Sequence, residues 1–257
     1  MRTPALPVYA SPRHRAVMDG TGGSMTTSQD RAREALKALS FLGGLPDPLI
    51  EQLAARAHSK RYKKGETIMT RGDEGDSLMI VLAGRAKISN ITSDAREIVL
   101  NFLGKGDVIG EIAILDGAPR TASVYAIEDT DTLVLYRRDV LPVLLKSPEA
   151  MLELIQILCE KLRAASAIVE ENSLPMAARA AAGLLRLADQ HGRVVKEGTL
   201  IDLKLSQRDL GNYLGLSREN VSRQLGVFRD IGVLQIEGSE IVILDRDALR
   251  RYSDGPV

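Results

Sequence analysis

The chain has 257 residues, 44% of them hydrophobic, and its 34 basic residues balance 34 acidic ones, so the formal net charge is zero. This suits two modest globular domains, and any nucleic-acid binding must come from a local basic patch. A single cysteine, Cys159, excludes a disulfide framework or a four-cysteine iron–sulfur cluster within one chain, and no apolar run approaches the ~20 residues of a membrane span. We therefore expect a cytoplasmic protein.

The first half of the chain changes character twice. Residues 1–30 are rich in proline, glycine and serine, lack a long apolar run, and are predicted to form a mobile tail and not a signal peptide. Residues 29–58 show helical spacing, interrupted by Pro46 and Pro48. Residues 61–137 carry short apolar runs between glycine and aspartate turns, which predicts a compact all-β roll or barrel.

Within that β region, residues 106–124 contain the features of a nucleotide pocket. Gly110 lets backbone approach a ligand closely because it has no side chain. Glu111 accepts hydrogen bonds and suits sugar hydroxyls, whereas Arg120 offers a planar fork of donors to a phosphate. The competing interpretation of this pair is a surface ion pair on a β domain.

A long helix is predicted from Ser147-Pro148, where a serine cap precedes a proline at the first helical position. Apolar residues then alternate at spacings of four and three, the pattern of a two-helix seam, and indicate a homodimer. The seam positions are Met151, Ile155, Leu158, Leu162, Ala165, Val169 and Asn172. The alternative is one amphipathic helix packed on its own domain.

Leu174-Pro175 interrupts this helix and is a plausible hinge, followed by an alanine-rich helix over 176–190 and a short strand over 199–203. Two short serine-capped helices, 206–214 and 217–228, are joined by a glycine turn, which is typical of a helix-turn-helix. A hairpin around Gly238-Ser239 adds a wing. A helix pair of an ordinary bundle is the alternative.

The outer face of the second short helix carries chemistry that reads DNA bases. It presents Arg218, Glu219, Asn220, Ser222 and Arg223. Arginine donates two hydrogen bonds to guanine, and glutamate accepts one from cytosine. Five basic residues against two acidic ones between Leu203 and Arg229 give this segment a positive local charge.

These motifs resemble two known modules. Residues 106–124, with the glycine-punctuated strands at 64–68 and 72–88, closely resemble the phosphate-binding cassette of cyclic-nucleotide-binding domains. Residues 205–234 resemble the DNA-reading unit of the CRP/FNR superfamily of bacterial transcription regulators, and the likeness covers roughly residues 35–250.

The resemblance implies an α+β fold in four parts. A mobile tail (1–30) precedes a cyclic-nucleotide-binding β-roll of the jelly-roll-like, double-stranded β-helix type (31–146). A dimerisation helix (147–173) and a winged helix-turn-helix DNA-binding domain (174–257) follow.

The resemblance also assigns roles to single residues. Gly110 and Glu111, with neighbouring Ile112, belong to the ribose side of the pocket, while Arg120, Thr121 and the backbone of Ala122 belong to the cyclic phosphate side. The base is expected against the long helix. There the family's adjacent Thr-Ser pair corresponds to Ala165-Ser166, which leaves Ser166 as the base contact and removes one hydroxyl, worth ~0.5–1.5 kcal/mol. The resemblance implies cyclic AMP first, and the missing hydroxyl leaves cyclic GMP or a loose base preference open.

For DNA, the resemblance assigns base reading to Arg218, Glu219 and Arg223, and phosphate positioning to Ser206 and Ser217. The remaining candidates for DNA contact are Gln207, Asn220 and Ser222.

The expected function is a cyclic-nucleotide-responsive transcription regulator without a metal or an enzymatic activity. It would act as a homodimer on palindromic double-stranded DNA, with RNA polymerase as a further partner. One alternative keeps the DNA-binding dimer and replaces the signal by a redox or gas signal, or by none. Another is an enzyme or channel regulated by a cyclic-nucleotide module, which no catalytic motif or membrane run supports.

Overall fold

The computed structural model describes residues 28–254. Residues 1–27 of the predicted tail lie outside this range, and residues 28–30 belong to the first helix. The described chain divides into two compact units, which meet between Cys159 and Glu160 inside a long helix. The predicted domain limits at 146/147 and 173/174 stay predictions.

The first unit opens with three short helices, as the spacing in residues 29–58 predicts. They are α1 (Ser28–Ala38), α2 (Ser40–Gly43) and α3 (Asp47–Arg56). Pro46 and Pro48 lie at the start of α3, where a proline's missing N–H costs nothing because no intrahelical partner exists there.

Two four-stranded antiparallel sheets form the β-roll, and the predicted fold class is confirmed. The first sheet has the order β1-β8-β3-β6 and the second β2-β7-β4-β5. The strands are β1 (His58–Tyr62), β2 (Thr67–Met69), β3 (Ser77–Ala83), β4 (Ala86–Ile91), β5 (Glu97–Leu103), β6 (Val108–Ile109), β7 (Ser123–Ala126) and β8 (Thr130–Tyr136).

Strand β3 shows why this region reads as continuous apolar runs. Met79 and Val81 join a core cluster with residues of both sheets, while Leu78 and Ile80 join a second cluster with the three N-terminal helices. A strand that is covered on both faces needs apolar residues at every position.

One helix lies between β6 and β7, a second follows the last strand of the roll, and the long helix comes next. The sequence did not predict α4 (Glu111–Asp116), which lies between two glycines in the left-handed region, or α5 (Arg137–Leu144). The long helix α6 (Pro148–Glu171) begins where predicted, and the Ser147 hydroxyl accepts from the Ala150 amide at 3.3 Å. In this single chain Leu162 and Val169 of α6 are 69% and 72% exposed.

The second unit contains a winged helix-turn-helix. Its elements after α6 are α7 (Met176–His191), β9 (Gly192–Val195), β10 (Gly198–Ile201), α8 (Gln207–Leu214), α9 (Arg218–Asp230), β11 (Leu234–Glu237), β12 (Glu240–Ile243) and α10 (Arg246–Ser253). The antiparallel sheet has the order β11-β12-β10-β9, and the β11–β12 hairpin turns at Gly238-Ser239 as predicted. Over residues 28–254, none of the helices has the length and apolar character to cross a membrane.

Candidate nucleotide pocket and DNA-reading surface

The first candidate site lies where β6 gives way to α4. Gly110 has φ +88° there, a conformation that costs glycine nothing and strains other residues. A Cβ atom on Gly110 would collide with Nη1 of Arg120 and would lie 2.9 Å from the carbonyl oxygen of Ser77. The sequence therefore needs glycine here because the arginine side chain packs directly on this backbone.

Arg120 is held in place at both ends of its side chain. Its Nη2 donates to the Ser77 hydroxyl at 2.9 Å, and its Nη1 donates to the carbonyl oxygen of Gly110 at 3.3 Å. Its backbone amide donates to the carbonyl oxygen of Asp73 at 2.9 Å. Arg120 is only 5% exposed. Both side-chain acceptors are uncharged, so they orient the guanidinium without cancelling its charge.

Opposing effects act on the pKa of Arg120. Burial lowers the pKa of its guanidinium, while the carboxylates of Asp76, Glu111 and Asp73 raise it. Arginine stays protonated under either influence at neutral pH. The result is a fixed, buried positive charge in a partly acidic setting, a combination that suits an anion carrying polar, hydroxyl-rich groups.

The other predicted pocket residues lie in the same segment with different exposure. Glu111, the first residue of α4, is 5% exposed, which is unlike a surface ion pair, whereas Ile112 is 38% exposed. Thr121 is exposed and its carbonyl oxygen accepts from the Asn90 side chain at 3.3 Å. Ala122 is half-buried next to it.

Ser77 was missed by the sequence reasoning. It lies at the start of β3, 43 residues from Arg120, and is 6% exposed. The only local signal was a polar residue at the head of an otherwise apolar strand. Its contact with Arg120 depends on the way the sheets close and has no counterpart in sequence spacing.

The predicted base contact, Ser166, belongs to the second unit and lies on α6. Its hydroxyl donates to the carbonyl oxygen of Leu162, one turn earlier, at 3.1 Å. A serine that bonds back to its own helix keeps its oxygen lone pairs available as acceptors.

The second candidate site is the α8–α9 pair. The Ser206 and Ser217 hydroxyls cap the two helices and accept from the amides of Asp209 at 3.0 Å and Asn220 at 3.2 Å. Gly215 makes the turn at φ +63°. Gln207 is exposed in the first turn of α8.

Helix α9 has one buried and one exposed face. Val221, Leu225 and Phe228 are buried and fix the helix on its unit. On the opposite face Arg218, Glu219, Ser222 and Arg223 are exposed and Asn220 is half-buried. Residues at i and i+4 share a face of a helix, so the structure brings the predicted base-reading residues together.

Hydrogen bonds order two side chains of this face. Hydrogen bonds from its own backbone amide and from the Ser217 hydroxyl hold the pKa of Glu219 below its usual value, so the side chain is a pure acceptor. Nη2 of Arg223 donates to Oδ1 of Asn220 at 2.9 Å, which orients its guanidinium along the helix.

Within the described residues, no group of three or more histidine, cysteine, aspartate or glutamate side chains is placed to hold a metal ion.

Comparison with known proteins matches both sites to family models. The model of the cyclic nucleotide-binding domain matches residues 59–147, and that of the Crp-like helix-turn-helix domain matches residues 178–252. The two matches contain the residues of the pocket segment and of α8–α9.

Individual relatives extend over most of the chain. A CRP-like cAMP-activated global transcriptional regulator of Mycobacterium tuberculosis is 27% identical over 219 residues, covering 85% of this chain and 98% of that protein. The anaerobic regulatory protein of Bacillus subtilis is also 27% identical, covering 79% and 86%. Among solved structures, FixK2 from Bradyrhizobium japonicum is 25% identical, with a TM-score of 0.69 over 78% of this chain and 99% of FixK2.

Proposed function

We propose that the signal of this chain, a CRP-family DNA-binding transcription regulator with a cyclic-nucleotide-binding domain, is a cyclic nucleotide, with cyclic AMP first. The observation that most strongly supports this proposal is Arg120, whose buried guanidinium is oriented by uncharged acceptors. A cyclic phosphate supplies the single negative charge and the oxygens that such a fork binds best.

The two halves of the nucleotide make different demands. The phosphate would bind Arg120, Thr121 and the backbone of Ala122, and the ribose hydroxyl would donate to Glu111 beside Gly110. The base would meet Ser166, where the neighbouring position is Ala165 and offers no hydroxyl. The name of the M. tuberculosis relative favours cyclic AMP, whereas the alanine keeps cyclic GMP as the competing ligand.

We further propose a homodimer formed through α6. Seam residues such as Ile155, Leu162 and Val169 are 45%, 69% and 72% exposed in one chain, and a second copy of α6 would bury them. Two α9 helices, ~34 Å apart on a palindrome, would then read adjacent major grooves. RNA polymerase is the proposed further partner of such a complex.

The decisive measurement is calorimetric titration with cyclic AMP and with cyclic GMP. We expect heat with at least one nucleotide and its loss in Arg120→Ala. Arg96→Ala is the matched control, because this arginine is 82% exposed and pairs with Asp94 in the β4–β5 turn. The absence of heat with either nucleotide, in folded wild-type protein, would reject the proposed signal.

For the dimer, sedimentation should give twice the chain mass for wild type and a monomer for Leu162→Glu. Ala167→Glu adds the same charge at an exposed position of α6 outside the seam and should stay dimeric. Equal behaviour of the two variants would contradict the seam.

A second candidate is a regulator with the same DNA-binding output and another signal. It is favoured by the missing hydroxyl at Ala165 and by the B. subtilis relative, which is equally similar to this chain and is named for anaerobic regulation. Site-specific DNA binding that is independent of both nucleotides would support it.

A further inference from the structure

A second buried arginine lies in the C-terminal unit and takes no part in either candidate site. Arg186 of α7 donates from Nε to the hydroxyl oxygen of Tyr213 in α8 at 2.7 Å, and its Nη1 pairs with Glu171, the last residue of α6. Its guanidinium carbon also lies over the Tyr213 ring, 4.8 Å from the centroid. The side chains of Arg186 and Glu171 are only 11% and 19% exposed.

Arg186 is charged and Tyr213 is neutral at neutral pH. Burial lowers the pKa of Arg186, but Tyr213 and Glu171 more than offset it, so that its pKa lies above the usual arginine value. Burial raises the pKa of the Tyr213 phenol, which therefore stays protonated and accepts from Arg186. A planar guanidinium that is bonded along two edges, to Tyr213 and to Glu171, is restricted in its orientation.

The cluster spans the hinge. Glu171 precedes the Leu174-Pro175 break, and Arg186 and Tyr213 follow it in two successive helices. A second arginine of α7, Arg179, lies two helical turns before Arg186 on the same face, and its Nη1 donates to the carbonyl oxygen of Gly215 at 3.3 Å. Two arginines of α7 therefore contact α8 and the turn after it, and the Arg186 contact continues to Glu171 at the end of α6.

We propose that Arg186 is a positioning residue that fixes the α8–α9 pair to the C-terminal end of α6. Because α6 is the proposed seam, this contact sets the separation of the two α9 helices in a dimer and passes a change at α6 to the DNA-reading face. The transmission of a nucleotide signal rests on the proposed function. The control of separation rests only on the proposed dimer, which sedimentation tests independently of any nucleotide.

The test uses full-length protein and a palindrome selected from random DNA with wild type. Affinity is measured for that palindrome and for versions whose half-sites are moved by one or two base pairs, without nucleotide, with cyclic AMP and with cyclic GMP. Half-site spacing reports the geometry between the two α9 helices. A residue that merely supports folding would weaken binding to every spacing equally.

Three variants probe the cluster in increasing severity. Tyr213→Phe keeps the ring and removes the acceptor, Glu171→Gln removes the charge, and Arg186→Lys removes the fork. We expect each to lose at least about fivefold of the wild-type preference for the selected spacing, at the lower end of measured coupling effects. Glu170→Gln, an exposed neighbour on α6, is the matched control and should keep the preference.

The outcomes separate the two proposals. If spacing preference falls in the three variants while cyclic AMP and cyclic GMP leave wild type unaffected, the proposed signal fails and the role of Arg186 stands. If wild type responds to a nucleotide and all three folded variants keep both the response and the spacing preference, the role of Arg186 is refuted. Tyr213→Phe, which changes one atom, decides the matter if the charge variants do not fold.

Discussion

The two units each bury an arginine and surround it differently. In the β-roll Arg120 bonds to a serine hydroxyl and a backbone carbonyl, whereas in the C-terminal unit Arg186 bonds to a carboxylate and a phenol. The second guanidinium is compensated inside the protein and can serve as a structural tie. The first retains its charge in a preformed orientation, which is what an anion-binding site needs.

The largest expected effect is on stability, where the two arginines should differ most. Arg186→Gln leaves the Glu171 carboxylate partly buried without its partner and should lower the free energy of unfolding by about 3 kcal/mol. Arg120→Gln loses two uncharged acceptors, and burial already outweighs the attraction of Asp76, Glu111 and Asp73 for this charge, so the substitution should cost less, about 1 kcal/mol. Urea unfolding of the ligand-free variants measures both free energies. Equal losses in the two variants would contradict the difference between Arg186 and Arg120.

The next effect tests whether Gly110 is needed for the geometry of Arg120. Gly110→Ala places a Cβ against Nη1 of Arg120 in a strained conformation and should weaken nucleotide binding by about 2 kcal/mol, or about 30-fold. Gly117→Ala is the control, because Gly117 has φ +71° and its nearest atom, Nη2 of Arg137, lies 3.6 Å from the added Cβ. Calorimetric titration should show the loss in the first variant alone.

The exposed Arg218 extends the comparison of arginines to the protein surface. Arg218→Ala should leave the unfolding free energy unchanged and cost about 1–3 kcal/mol of discrimination between the selected palindrome and a copy with one base pair changed. Arg229→Ala, at the other end of α9, is the control and should keep the discrimination. Gel shifts give the ratio of the affinities for the two DNAs. An unchanged ratio in Arg218→Ala would contradict the proposed recognition face.

The smallest effect concerns the hydroxyl that orients Arg120. Ser77→Ala removes one acceptor and should weaken nucleotide binding by about 1 kcal/mol, or about fivefold, with little change in stability. Ser89→Ala is the matched control in the same β-roll, since the buried Ser89 hydroxyl lacks a hydrogen-bond partner among the described residues. Titration should give wild type and Ser89→Ala the same affinity for the nucleotide, and Ser77→Ala a lower affinity.

Local patterns predicted most of the helices, including the α8–α9 pair, and the DNA-contact residues on it stay a prediction. The caps Ser206 and Ser217, the glycine turn and the i, i+4 spacing of Arg218 and Ser222 are all short-range features, so a helix places them without help from the rest of the chain. The start of α6 at Ser147-Pro148 was predicted for the same reason.

The pocket was only partly predictable. Glu111 and Arg120 stand out in the sequence, but their burial, the short helix α4 and the contact with Ser77 come from the closing of the two sheets. The Arg186 cluster escaped sequence reasoning altogether, because its members lie 15 and 27 residues apart and look like ordinary surface residues of three helices.

The sequence by itself therefore determined most of the elements, their order and the types of functional side chain, since periodicity, caps and turn residues act over a few positions. Only the tertiary structure decided which charged groups are compensated. Pairing of a buried charge with an opposite charge depends on burial and on the distance between residues that are far apart in the chain. It distinguishes Arg120, whose hydrogen-bond acceptors are uncharged, from Arg186, which pairs with Glu171.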